Sequence, residues 1–399
     1  MATGTWIGGA SVAQQISTIT LGGTWNDSES DVAVTLTDEV GASHTVNVTP
    51  SGTDKNTIAA AIQSALDSST NVEFVKVTWT VDSAVVTGTA KVAGRPFYPA
   101  CVVTGGSGTE TVATSTANSS PHDFNATANW QSGTVASTTG AVYFVSGDDD
   151  IIYGLQQTLL HPTTFHVGPG FNGGIGDHDN GYYLTLKTTA GSNDITDMRL
   201  DVKGRVYIKG DIETCFIKGC PSGDNRINLD CNALDSGNST VLVTGNTCRG
   251  EISFKNSSVL HTLRICGAPR CTVTLGTGLS SLDTIEMDSG LVYCSSAVAT
   301  AINVSGGTYY QLEGANSTAA NVRRDGTLNW ESIGDPGTFN LFNGTINMGK
   351  SLAGNTSVQV ALNMYNGLYT EASSGNVIGT YNLFGGTTRF ESGFAPTKS

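Results

Sequence analysis

Met287-Asp288-Ser289-Gly290, Val304-Ser305-Gly306-Gly307, Leu341-Phe342-Asn343-Gly344, Met364-Tyr365-Asn366-Gly367 and Leu383-Phe384-Gly385-Gly386 are one motif written five times. An apolar residue leads, one or two residues follow, and a small polar residue or Gly precedes a final Gly. Arg324-Asp325-Gly326-Thr327-Leu328 is a weaker sixth copy. The glycines at 290, 307, 326, 344, 367 and 386 step by 17, 19, 18, 23 and 19 residues. Going backwards, Arg270, Gly250, Asp230 and Gly210 extend the series at steps of 20, each beside apolar alternation. Self-similarity at this period marks a stacked-repeat architecture. Each repeat holds two or three strands too short to stand alone. Stacking pairs every strand with the one above and buries a continuous apolar column. Gly and Asn supply corners of positive φ. The expectation is a right-handed parallel β-helix over 201–399 with rungs of about 19 residues. A β-sandwich is the competing fold, but its turns would recur every ~8–12 residues.

Seven of the eight cysteines fall between 215 and 294, and no CxxC pair exists to suggest zinc. Cys215, Cys231, Cys248 and Cys266 step by 16, 17 and 18 residues, close to the rung period. This spacing predicts one interior column of free thiols, because free Cys behaves as a small hydrophobe. Disulfides between adjacent rungs are the sharper alternative, and a metal ladder ranks behind both.

Residues 1–13 read as a small-residue arm. Over 14–118 the period changes from 2 to 3.6 and back. Ile19 and Leu21, then Val32, Val34 and Leu36, then Val46 and Val48 alternate as half-buried strands. Asp54 caps a helix that places Ile58, Ala61, Ile62, Ala65 and Leu66 on one face. Strands resume at Val75–Val81, Ala84–Lys91 and Ala100–Val103. This order predicts a small α+β domain with its helix on a mainly antiparallel sheet. Gly105-Gly106-Ser107-Gly108 and Thr114–Ser120 read as a linker. Residues 119–200, with strands near Trp130, Val142–Val145, Ile151–Tyr153 and Tyr182–Leu186, read as a β-rich transition capping the helix. The fold class is mainly β.

Composition narrows the function. Lys plus Arg is 20 and Asp plus Glu 34, for a net charge of −14, which repels phosphate backbones and argues against nucleic-acid binding. Half the basic residues lie between Arg199 and Arg270, interleaved with acids. No apolar run reaches the ~18–20 residues of a membrane span. The N-terminus lacks the pattern of a secretory signal, so cytoplasmic synthesis is expected. Ten Asn-X-Ser/Thr sequons, starting at Asn26, are expected by chance in so Asn-, Ser- and Thr-rich a chain.

Few residues invite chemistry. Asp148-Asp149-Asp150 suits a cation in charge, but no calcium-loop spacing surrounds it. Asp177-His178-Asp179, with His161 and His166 nearby, suits mixed ligation, and a polar loop is the favoured reading. Lys91, Arg95 and Pro96 form a possible binding edge. Polysaccharide hydrolysis needs two carboxylates ~5–9 Å apart, and the rung-spaced candidates are Asp211 with Asp230 and Glu286 with Asp288. No nucleophile elbow, P-loop or HExxH occurs. No catalytic, cofactor-binding or metal-ligating residue is assigned, and the protein is expected not to be an enzyme.

Ile16–Trp130 resembles a module of tailed-bacteriophage structural proteins. The marks are Thr57-Ile58-Ala59-Ala60-Ala61-Ile62, Val75-Lys76-Val77-Thr78-Trp79-Thr80-Val81, Thr87–Phe97, the turn Gly105-Gly106-Ser107-Gly108-Thr109, and Thr116–Ser119 leading to Ala128-Asn129-Trp130. The remainder is similar in composition and rung style to capsid decoration, cement and head-spike proteins. The resemblance implies a virion protein on the outer capsid surface, bound to the major capsid protein as a homotrimer. A tail fibre or tailspike binding host surface glycan is the alternative, and a polysaccharide lyase or hydrolase ranks third. The arm 1–13 and the α+β module are expected to make the attachment.

Overall fold

The computed structural model describes residues 2–25, 31–136, 140–186, 195–220, 223, 227–231, 240–254, 259–279, 281–295, 299–312, 317–332, 336–349, 358–371 and 377–390. The sequon at Asn26 and the last nine residues of the predicted helix lie outside them.

The chain forms a parallel β-solenoid with a small β-rich domain near its start. Each rung contributes one strand to each of two long sheets. Sheet I has 13 strands, from Ala2–Trp6 and Gly140–Phe144 to Val377–Leu383. Sheet II has 11, from Leu184–Thr185 to Thr387–Phe390. The solenoid therefore begins at Gly140, well before the predicted 201. The segment expected to cap the helix over 119–200 already carries rungs.

The glycine markers from 290 onward behave as the motif predicts. Thr308 N–H donates to Gly290 O (2.9 Å), Thr327 to Gly307 (3.0 Å), Thr345 to Gly326 (2.9 Å), Leu368 to Gly344 (2.9 Å) and Thr387 to Gly367 (2.8 Å). Gly307 shows why the residue type matters. Its φ is +75°, and a Cβ there would sit 2.4 Å from the Gly290 carbonyl oxygen. Below 270 only Gly250 keeps the column, with Thr272 N–H donating to its carbonyl (3.2 Å). Arg270 falls one residue short of the column position, which Cys271 fills by accepting from Leu291 N–H (2.9 Å). Asp230 and Gly210 lie inside strands, paired with Lys209 and Cys231. The physical reason is corner length. Sheet II rungs run from 17 residues (Leu291 under Thr308) to 25 (Ile227 under Ile252), and the strands keep their parallel pairing across that spread.

Along each strand, inward residues alternate with outward ones. Ile302, Ala320, Phe339 and Leu362 form one inward column of sheet I, and Val304, Val322, Leu341 and Met364 the next. Tyr309, Leu328, Ile346 and Tyr369 face them from sheet II. All are buried, and each buried Val, Leu, Ile or Phe is worth roughly 1.5–3 kcal/mol. Two buried acceptors in this core are satisfied: Tyr309 donates to Gln311 Oε1 (2.7 Å) and Tyr369 to Glu371 Oε2 (2.9 Å).

The thiols do not form the predicted column. Cys215 lies in sheet I, Cys231 in sheet II, Cys248 at a corner, and Cys266 at the end of a sheet I strand. Rungs here are longer than the 16–18-residue steps: Thr214 stacks under Thr240 and Ile227 under Ile252. None of the eight cysteines is in a disulfide, and all but Cys266 are buried. The thiols that do stack are Cys220, Cys248 and Cys271. Cys220 pairs with Cys248 in a parallel bridge, and the Cys248 and Cys271 sulfurs lie 3.3 Å apart.

The small domain follows the predicted order with one more strand and a short second helix, Val72–Val75, where the strand expected from Val75 would begin; that strand runs Val77–Asp82. Asp54 caps the helix Lys55–Ser68, accepting from Thr57 N–H (3.1 Å), and Ile58, Ala59, Ile62 and Leu66 are buried. One antiparallel sheet orders Val77–Asp82, Val85–Ala90, Ile16–Thr24 and Ser107–Thr116. A second orders Ser43–Val48, Asp31–Thr37 and Tyr98–Thr104. The predicted linker is a turn at Gly105-Gly106 and a long strand. Its threonines and glycines hid its pairing with residues 16–24.

The predicted arm is part of the solenoid. Ala2–Trp6 pairs in parallel with Gly140–Phe144, and Trp6 is fully buried against Trp130 (ring centroids 5.3 Å apart), Phe144 (5.9 Å) and Phe124 (6.3 Å). The small domain is thus inserted between two neighbouring strands of sheet I. An antiparallel bridge, Ala13 with Ser119, closes its base.

Candidate functional site

The strongest candidate is the outer face of sheet I over its last five rungs. Because successive rungs stack in register, outward side chains form straight columns. Ala301, Ala319, Thr338, Ala361 and Thr380 make a column of small residues. Two residues further along each strand, Asn303, Asn321, Asn340, Asn363 and Asn382 make a column of amides. Each of the four amides above Asn303 donates from Nδ2 to the Oδ1 of the Asn below at 2.8–2.9 Å. This fixes every amide in one rotamer and leaves its other donor and lone pair pointing away from the ladder.

At the adjoining corner Phe342, Tyr365 and Phe384 stack ring on ring, 4.9 Å apart and within 3° and 9° of parallel. The Arg323 guanidinium closes the lower end, 5.0 Å from the Phe342 ring centre. Exposure rises up the stack from 39% to 45% to 69%, unusual for three adjacent large rings. Apart from Arg323, these columns carry no charge. Sheet II repeats the theme more weakly, with Tyr293 stacked on Tyr310 (5.1 Å) and Asn347 bonded to Asn329 (2.8 Å). The signal was present in the sequence. The rings sit inside the glycine motif, and the asparagines recur at its period.

Most of the acids named from sequence have side chains engaged structurally. Asp230 accepts from Lys209 Nζ at 2.8 Å, with burial pushing its pKa up and the ammonium pulling it down. Glu286 pairs with Arg264 (2.8 Å), and Asp288 caps Gly267 N–H (2.8 Å). Asp211 is buried, and its carbonyl accepts from Ile195 N–H (2.9 Å). Asp148 and Asp150 pin a loop of the next rung, accepting from Asn172 Nδ2 (2.6 Å) and Gly174 N–H (2.5 Å). Asp177 closes a turn by accepting from Asn180 Nδ2 (2.7 Å). His166 pairs with Asp197 (3.1 Å), away from His178, which lies beside Asp179 (3.2 Å). Among the described residues no group of three His, Cys, Asp or Glu is arranged to hold a metal ion.

Arg95 and Pro96 line a cleft of ≈190 Å³ between the inserted domain and the solenoid, with Lys76, Glu39, Tyr153 and Tyr182. Lys91 does not line it. Glu39 anchors this junction. Its Oε2 accepts from Leu155 N–H (3.3 Å), its Oε1 from the Tyr98 hydroxyl (3.4 Å), and its carbonyl from Gln156 Nε2 (2.9 Å). Burial raises its pKa to about 7, with the nearby Asp123 adding to the rise, while the Leu155 and Gly154 amides and Tyr98 oppose it.

No protein family, curated protein or solved structure gives a match to this chain.

Proposed function

We propose that this protein is a non-enzymatic structural protein that associates through the outer face of sheet I. In this reading it is a homotrimer that decorates the outer surface of a tailed-bacteriophage head, bound to the major capsid protein. The observation that carries the associating role is that uncharged, pre-ordered face of small, amide and aromatic columns. Its amides are already locked and its rings already stacked, so little side-chain entropy remains to be lost on contact. Closed symmetry is the ordinary way for identical rods to cover such faces. The phage assignment rests on the sequence resemblance of residues 16–130.

Light scattering on the purified chain tests the association. The expected mass is three times 41.3 kDa. The triple change Phe342→Ser, Tyr365→Ser and Phe384→Ser is expected to return it to one. A wild-type monomer at every concentration sinks the associating role. Co-sedimentation with assembled heads tests the capsid role, and binding confined to tails overturns it.

A second reading is a host-glycan-binding protein. Amides and exposed rings are the groups that hold sugar hydroxyls and apolar sugar faces, and both are concentrated on this face. Binding on a glycan array, lost in the same triple variant, favours that reading over the first. Polysaccharide cleavage has less support, because three of the four candidate acids are occupied: Asp230 by Lys209, Glu286 by Arg264 and Asp288 by the Gly267 amide. Release of reducing ends, abolished by Asp211→Asn, would revive it.

A further inference from the structure

Three thiols on three successive rungs meet at one corner of the solenoid. Cys220, Cys248 and Cys271 are all buried, Cys220 pairs with Cys248 across a parallel bridge, and the Cys248 and Cys271 sulfurs are 3.3 Å apart. Cys248 and Cys271 hold the same place in successive corners, each N–H donating to the carbonyl three residues back, Gly245 (3.2 Å) and Ala268 (3.1 Å). Equivalent residues on adjacent rungs of a parallel stack are ~4.8 Å apart, inside the ~4.4–6.8 Å that a disulfide needs between Cα atoms. Cys248 also contacts the Cys220 thiol, and the Cys271 sulfur reaches the Thr272 carbonyl at 3.8 Å. Among the described residues no ion pair of Cys248 or Cys271 has to break for the two sulfurs to close.

We propose that Cys248 and Cys271 are a modification site, an oxidisable pair that staples one rung to the next through a disulfide, with a small-molecule disulfide such as glutathione disulfide as the oxidant. The Cys248 thiolate attacks a sulfur of the oxidant and expels one glutathione thiolate. The Cys271 thiolate then attacks the Cys248 sulfur of the mixed disulfide and expels the second. Two protein thiols lose two electrons and two protons, and the two glutathiones gain them. Cys248 is the nucleophile because it lies between the Cys220 and Cys271 thiols, whose S–H groups can donate to its ionised form and so draw its pKa down. Because it lies between two thiols, Cys248 is the member the bond requires. Burial slows exchange in the folded chain, so the bond forms most readily while the corner is still open during folding.

The full chain is treated with glutathione disulfide in two ways, folded and during refolding from urea. It is then alkylated in denaturant and digested without reduction. The expected result after refolding is one disulfide per chain, six alkylated cysteines, and a fragment joining Cys248 to Cys271. Cys220→Ala keeps that link and Cys248→Ala abolishes it, and alanine retains a small apolar side chain at each buried position. A reductant should lower the melting temperature of the refolded wild type and leave that of Cys248→Ala unchanged. The proposal is overturned if all eight cysteines alkylate after both treatments. A link that survives Cys248→Ala, or one made through Cys215, Cys231, Cys266 or Cys294, also overturns it.

Discussion

Replacing Glu39 by Gln should stabilise the protein, and only above a definite pH. The carboxyl sits where the inserted domain meets the solenoid, accepting from Leu155 N–H and the Tyr98 hydroxyl. Burial, reinforced by Asp123, raises its pKa from 4.5 to about 7 in the folded chain. Below about pH 4.5 the group is protonated in both folded and unfolded chains and contributes nothing. Between about 4.5 and 7 the unfolded chain loses a proton that the folded chain keeps, so stability falls as pH rises. Above 7 the loss is complete, at about 3 kcal/mol from the displacement of the pKa. Gln keeps an acceptor for Leu155 N–H and can donate its amide to the Tyr98 hydroxyl oxygen, but it cannot ionise. Urea unfolding of both proteins, followed by tryptophan fluorescence between about pH 4 and 9, should give curves that agree at the acid end. They should separate to about 3 kcal/mol in favour of the variant by pH 8. Parallel pH profiles, or a variant less stable at pH 8, would show that Glu39 is not a buried carboxyl under strain.

Gly307→Ala should cost at least about 2 kcal/mol, from its positive φ together with the clash against the Gly290 carbonyl. Gly52→Ala, at φ +91° with nothing within 4 Å, should cost only about 1 kcal/mol, and equal melting temperatures would refute the steric argument. Asn340→Ala removes the amide that links Asn321 to Asn363; chemical denaturation should report a loss of about 1–2 kcal/mol. Trp6→Ala should lose about 3–5 kcal/mol at the start of the solenoid. Deleting residues 1–13 should likewise expose the first rung to protease, and an unchanged digestion pattern would count against the strand pairing.

The fold was most legible where the corners are short. From Gly290 onward each glycine sits at the same point of its rung, so the period in the sequence is the period of the coil. Before Cys271 the corners take up extra residues, and Asp230 and Gly210 drifted into strands while keeping a plausible spacing. The same drift made Cys215, Cys231, Cys248 and Cys266 look like a ladder. Cys220, Cys248 and Cys271 escaped notice because their steps follow the longer rungs. Ala2–Trp6 was unreadable for a different reason. Five residues with a single large side chain declare nothing locally, and their partner lies at Gly140–Phe144. The outer face of sheet I was half visible. Its rings were quoted as part of the corner motif, but only the register shows that asparagines and rings form continuous parallel columns.

The strand Ala2–Trp6 also sets an order of events. It leaves the ribosome ahead of its partner, and its place in sheet I exists only once residues 140–144 have been made and paired. Left to chain statistics, closing so long a loop costs entropy that grows with the logarithm of its length. The inserted domain shortens the problem. Once residues 16–116 have folded and Ala13 has met Ser119, the two ends of the loop are held together, and the remaining search is short. Seating Trp6 beneath Trp130 and Phe144 is then a late step, a latch that engages only on a domain already complete. Variants that slow folding of the inserted domain should therefore delay burial of Trp6, although none of them touches the solenoid.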